Sequence, residues 1–150
     1  MILCEQNLAE FDLDFGLDLA EKIASELTDK DIELVIVDEN AMREINTAQR
    51  GIEKATDVLS FALKAVPNVA NLPLGSIVIN ANAVKDEAKA RKHSKEAEFT
   101  LLFLHGILHL LGYDHEKDSG QMREKERQII EKFKLPQSLI IRSEEFIIFR

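Results

Sequence analysis

Apolar residues recur along this chain with two periods, and the changes between them divide it into short elements. Residues 2–6 (ILCEQ) read as a short strand. Leu17, Ala20, Ile23, Ala24 and Leu27 recur at spacings of three and four, which predicts a helix over 15–27. Residues 32–37 (IELVIV) read as a strand, and Asp38 is placed to cap a helix whose apolar positions are Ala41, Met42 and Ile45. Two further strands are expected at 57–62 (DVLSFA) and 75–80 (GSIVIN). Between them, Pro67, Asn68, Asn71 and Pro73 favour loop backbone. A Lys- and Ala-rich helix over 82–92 precedes a strongly apolar one over 95–111, which Gly112 can close as a left-handed cap. Asp118 and Gln121 resemble a capping pair that opens a helix from about 119 to 133. The final stretch, SLIIRSEEFIIFR, has apolar residues without a clear period and stays unplaced. Four short strands interleaved with helices predict an α+β fold, a short mixed four-stranded sheet packed with helices.

Composition narrows the class. A chain of 150 residues, 45% apolar and 31% charged, with no repeat or low-complexity tract, fits one globular domain spanning 1–150. Cys4 is the only cysteine, so no internal disulfide forms, which fits a reducing compartment. The N-terminus lacks the basic and apolar regions of a signal peptide. The longest apolar run, Phe99–Leu111, contains two histidines and is too short to span a bilayer. A soluble, cytoplasmic protein without a membrane partner is expected.

Net charge is −8, but its distribution is uneven. Residues 1–48 hold 13 acids and 3 bases, whereas residues 49–95 hold 8 bases and 4 acids. Much of the excess lies in Lys85, Lys89, Arg91, Lys92, His93 and Lys95. Such a stretch is either a solvated helix face or a local surface for phosphate.

The most specific signal is His105-Gly-Ile-Leu-His109-Leu-Leu-Gly112-Tyr-Asp-His115. Histidines four apart lie on one helix face, one turn from each other. Two imidazoles so placed can reach one zinc ion at about 2.0–2.1 Å. Gly112 lets the chain turn back, and His115 arrives as a third ligand. A single histidine on an apolar helix is usually a satisfied core residue. Three within eleven residues make that reading poor, because burying several imidazoles unligated is costly. Three histidines leave one tetrahedral position open, as in catalytic zinc sites. The spacing is similar to the long zincin signature H-E-x-x-H-x-x-G-x-x-H, so the segment reads as a zincin-like metal helix. Gly106 stands where a zincin peptidase has its catalytic glutamate, so a metal-dependent hydrolase is indicated without the usual peptidase base.

These residues, with others around them, resemble the YbeY family of bacterial endoribonucleases. Thr56-Asp-Val-Leu-Ser-Phe61 is similar to that family's T-D-V-L-S-F strand, preceded by Asn46 and Arg50. Leu74-Gly75 and Ile77-Val78-Ile79 resemble its next strand, and 105–115 its H-G-x-L-H-L-x-G-Y-D-H block. Met122 and Glu126 stand where the family keeps a methionine and a glutamate. The resemblance covers roughly 33–130; Gln49 and Ser76 depart from the family's tyrosine and aspartate.

The resemblance implies one zinc ion on His105, His109 and His115, with Arg50 at the scissile phosphate. It implies a single-strand-specific endoribonuclease acting in 16S ribosomal RNA 3′-end maturation and ribosome quality control. The small ribosomal subunit or an assembly factor is then the partner, with no DNA expected. Asp114 either orients a ligand histidine or caps the turn, while Asp57 and Ser60 either line the cleft or serve the strand. Met122 packs beneath the site or simply in the helix core. Two alternatives remain: a metallopeptidase-like hydrolase, and a non-catalytic ribosome-assembly module with structural zinc.

Overall fold

The computed structural model describes residues 1–6, 17–63, 67–69 and 71–136. The C-terminal stretch left unplaced above, and the first residues of the expected helix 15–27, lie outside them. Strands β1 (Ile2–Gln6), β2 (Ile32–Val37), β3 (Val58–Ala62) and β4 (Gly75–Asn80) form one sheet in the order β1-β2-β4-β3. β1 and β2 run parallel, as do β2 and β4, while β3 is antiparallel to β4. The mixed four-stranded sheet expected of the alternation is therefore present. Helix α1 (Asp18–Leu27) joins β1 to β2, and α2 (Glu39–Arg50) lies between β2 and β3. Helices α3 (Ala81–Arg91), α4 (Lys95–Leu110) and α5 (Gln121–Phe133) follow β4.

The period of two sorts the strands between two cores. Leu34 and Ile36 of β2 and Ile77 and Ile79 of β4 face α1, α4 and α5. The residues between them, Val35, Val37 and Val78, meet Leu59 and Met42 on the α2 side. α4 is covered almost all round, as an apolar helix without a polar face requires. From Glu98 to Leu110 every residue is buried except His105 and His109.

Capping explains where the helices begin. Asp38 accepts from the Ala41 N–H at 2.8 Å, as expected, and Ser94 accepts from Ala97 at 3.0 Å. Buried Asn80 accepts from the Asn82 and Ala83 N–H groups while its side-chain amide donates to the Thr56 carbonyl. It thereby ties the start of α3 to the segment leading into β3. α5 departs from expectation, starting at Gln121 rather than near 119. The Asp118 carboxylate accepts from both Gly120 and Met122, holding a turn ahead of the helix. Gln121 reaches back to the Ser119 N–H instead.

Candidate metal and phosphate site

The close of α4 positions the site. The Tyr113 N–H donates to the Leu108 carbonyl and the Gly112 N–H to the His109 carbonyl, both at 3.0 Å. With Gly112 at φ +99°, this is a Schellman closure, and it reverses the chain within three residues. Asp114 fixes the turn that follows. Its side chain accepts from the Glu116 N–H, and its carbonyl accepts from Lys117 and Asp118. Of its two expected roles, the geometry supports capping the turn. The result is that His115 stands beside His105 and His109.

The ligand atoms of His105, His109 and His115 all lie within 4.8 Å of one another. The ring centroids are 4.7, 5.6 and 5.9 Å apart. His109 Nε2 and His105 Nε2 are separated by 3.2 Å. Two ring nitrogens so close need a proton or a cation between them. Nitrogens at the ordinary zinc distance and a tetrahedral angle would stand about 3.3 Å apart. Burial, then the neighbouring His105 and His115, push the His109 pKa below its ordinary 6.5, while the Tyr113 backbone and Asp114 oppose that shift. The ring is thereby kept neutral, the form that ligates metal. Nδ1 of His105 and Nδ1 of His115 are buried without a hydrogen-bond partner. The donor set, its convergence and the lowered pKa of His109 thus fit a metal ion.

The rings open into a cleft of about 1260 Å³. Arg50, the last residue of α2, lines the same cleft, followed by left-handed Gly51 at φ +70°. Buried Asn46, one turn earlier, donates to the Lys54 carbonyl and so anchors the loop running from Arg50 to β3. Asp57 and Ser60 also line the cleft, and both have structural partners. The Asp57 side chain accepts from the Val58 N–H, and the Ser60 hydroxyl donates to the Gly106 carbonyl of α4. Of the basic stretch, Arg91 lines the cleft, paired with Glu87 at 2.8 Å. His93 instead bonds buried Glu98 at 2.8 Å. Met122 belongs to the main core.

Position 106 explains the missing peptidase carboxylate. A β-carbon there would stand 3.0 Å from Ile77 Cγ2 and 3.2 Å from its Cδ1. The position faces Ile77 on the sheet, so a side chain there would have to displace it.

Glu126 is the residue whose role the sequence reading left unassigned. Its carboxylate, fully buried, lies 3.5 Å from His105 Nδ1. The signal was available: Met122, Glu126 and Ile129 occupy the buried stripe of α5. A glutamate in an apolar stripe is retained only with a polar partner.

The family model described as Endoribonuclease YbeY matches residues 6–134. The chain is 56% identical over 132 residues to an Endoribonuclease YbeY of Sulfurimonas denitrificans, covering 88% of this chain and 93% of the relative. One from Nitratiruptor sp. is 52% identical over 139 residues, covering 93% and 94%. Among solved structures, the solution structure of TM1509 from Thermotoga maritima superposes with a TM-score of 0.57 at 29% identity, covering 89% of each chain. The chain belongs to the YbeY endoribonuclease family.

Proposed function

We propose that this protein is a zinc-dependent endoribonuclease that cleaves single-stranded RNA, with zinc on His105, His109 and His115 and Arg50 at the scissile phosphate. The observation that carries this reading is the convergence of three imidazoles on the wall of a cleft that Arg50 also lines. A zinc ion bound there supplies Lewis-acid activation of water and of a phosphoryl oxygen. Arg50 binds the phosphate through its planar fork and balances charge that grows as the phosphorus is attacked. The Ser60 hydroxyl, fastened to the Gly106 carbonyl, holds β3 against the ligand helix and so keeps the two walls of the cleft in register.

The endoribonuclease assignment is supported by the family and by its named relatives. Maturation of the 3′ end of small-subunit ribosomal RNA, ribosome quality control, a ribosomal subunit or assembly-factor partner and a cytoplasmic setting complete the proposal. They follow the family resemblance of the histidine block. Among the described residues no helix is long and apolar enough to cross a membrane. A peptidase reading is disfavoured because position 106 holds glycine and faces Ile77.

The test is cleavage of a labelled single-stranded RNA by zinc-loaded protein beside His109→Ala and Arg50→Ala. Loss of at least about 100-fold in both folded variants is expected, the scale of removing a group that stabilises transition-state charge. Activity that survives His109→Ala would assign the cleavage to a contaminating nuclease.

A further inference from the structure

The side-chain pairing of α4 with α5 points beyond the three ligands. His105 presents Nε2 toward His109, so its other ring nitrogen, Nδ1, faces away from the cleft. Nδ1 is buried, and the group set before it is the Glu126 carboxylate at 3.5 Å. Glu126 itself has no exposed surface and sits in the apolar stripe of α5 between Met122 and Ile129. A carboxylate has a large desolvation cost in such a place, and a hydrophobic side chain would pack the stripe better. Its position therefore calls for a role that an apolar residue cannot fill.

We propose that Glu126 is a positioning residue for the metal site, accepting the Nδ1–H of His105 so that Nε2 is left as the ligating atom. This rests on the reading that the triad holds zinc. An imidazole whose Nδ1–H is bonded to a carboxylate is fixed in tautomer and rotation, and its Nε2 becomes more basic. Two elements then define the site, α4 carrying the ligands and α5 setting the orientation of the first of them. Asp114, the carboxylate nearer in sequence, is engaged with the backbone of its own turn.

A second pair in the same molecule provides a control. His93 and the buried Glu98 make a comparable contact at 2.8 Å, at the N-terminal end of α4 and outside the cleft lining. Zinc affinity is to be measured by competition with a chromophoric chelator for the unaltered protein, Glu126→Gln and Glu98→Gln, with melting temperatures recorded in excess chelator. Glu126→Gln is expected to weaken zinc binding by about 10- to 100-fold, the range for loss of such a partner. Glu98→Gln is expected to lower the melting temperature and leave zinc affinity unchanged. Equal zinc affinity in Glu126→Gln and unaltered protein would overturn the role of Glu126 alone. No zinc binding by the unaltered protein would overturn the metal reading and this proposal with it. A measurement that needs no variant is the nitrogen-15 spectrum of the zinc-loaded protein. It is expected to show His105 protonated at Nδ1 and ligating through Nε2. The opposite assignment overturns the proposal even if Glu126→Gln fails to fold.

Discussion

His109 shows how one side chain links protonation to folding. Its folded pKa lies below the ordinary 6.5, first through burial and then through the two neighbouring rings. An imidazole with a depressed folded pKa binds fewer protons native than unfolded, so its contribution falls as pH drops below 6.5 toward the folded value. Metal-free protein is therefore expected to have a lower urea midpoint at pH 5.5 than at pH 7.5. His109→Gln should reduce that difference, and an unchanged difference would assign the pH dependence to other groups. Gly106 acts at the same scale in a different way. Its missing side chain allows α4 to approach Ile77, which is wholly buried. The helix propensity that glycine forfeits, about 1 kcal/mol relative to alanine, accompanies that close approach.

Contacts between elements decide whether the ligand helix lies in register with the sheet. Gly75 opens β4 where the β3 backbone and the Leu110 side chain crowd it. A β-carbon there would collide with the Phe61 carbonyl oxygen, lie 2.7 Å from Leu110 Cδ2 and 3.1 Å from Ala62 Cα. Gly75→Ala must push β3 away from β4 or move the end of α4, next to His109. It is expected to destabilise the protein by about 1–3 kcal/mol, as overpacking does, read from denaturant unfolding. It should also weaken zinc binding, because the ring separations depend on the same helix end. Wild-type stability in this variant would show that the junction can relax. Gly112 differs: a β-carbon would meet nothing within 4 Å, so its requirement comes from φ +99° alone.

Charge is a property of the whole molecule, and here its sum and its placement disagree. The chain carries −8, and the cleft is lined by Glu39, Asp57, Asp86, Glu87, Asp114 and Glu116 as well as by Arg50 and Arg91. Lys85, Lys89, Lys92 and Lys95 do not line it, so Arg91 is the member of the basic stretch placed at the cleft. Two cations facing a single strand imply a slope of log affinity against log salt near −1.4, at about −0.7 per neutralised phosphate. Filter binding of single-stranded RNA across a salt series is expected to give a slope of about −1 to −2. Lys89→Glu with Lys92→Glu should leave it nearly unchanged. A slope of −4 or steeper would place the RNA across the lysines outside the cleft.

Much of this protein is determined locally and was therefore legible in the order of its residues. The strands follow from alternation, which sorts Leu34 and Ile36 to one core and Val35 and Val37 to the other. Asp38 and Gly112 mark helix ends because their chemistry acts within one turn of the chain. The proximity of His105 and His109 follows from helical geometry, and that of His115 from the turn that Gly112 permits. Meetings between residues far apart in the chain do not follow from local pattern. The end of α2 brings Arg50 to the cleft from 55 positions before His105, and α5 brings Glu126 to His105 from 21 positions after it. Such meetings are set by how helices cover the two faces of a sheet, which no local period encodes. The choice between Asp114 and Glu126 is the clearest case. Asp114 is adjacent to a candidate ligand in sequence, but the backbone of its own turn engages it, and burial of α5 against α4 sets the Glu126 carboxylate before the His105 ring.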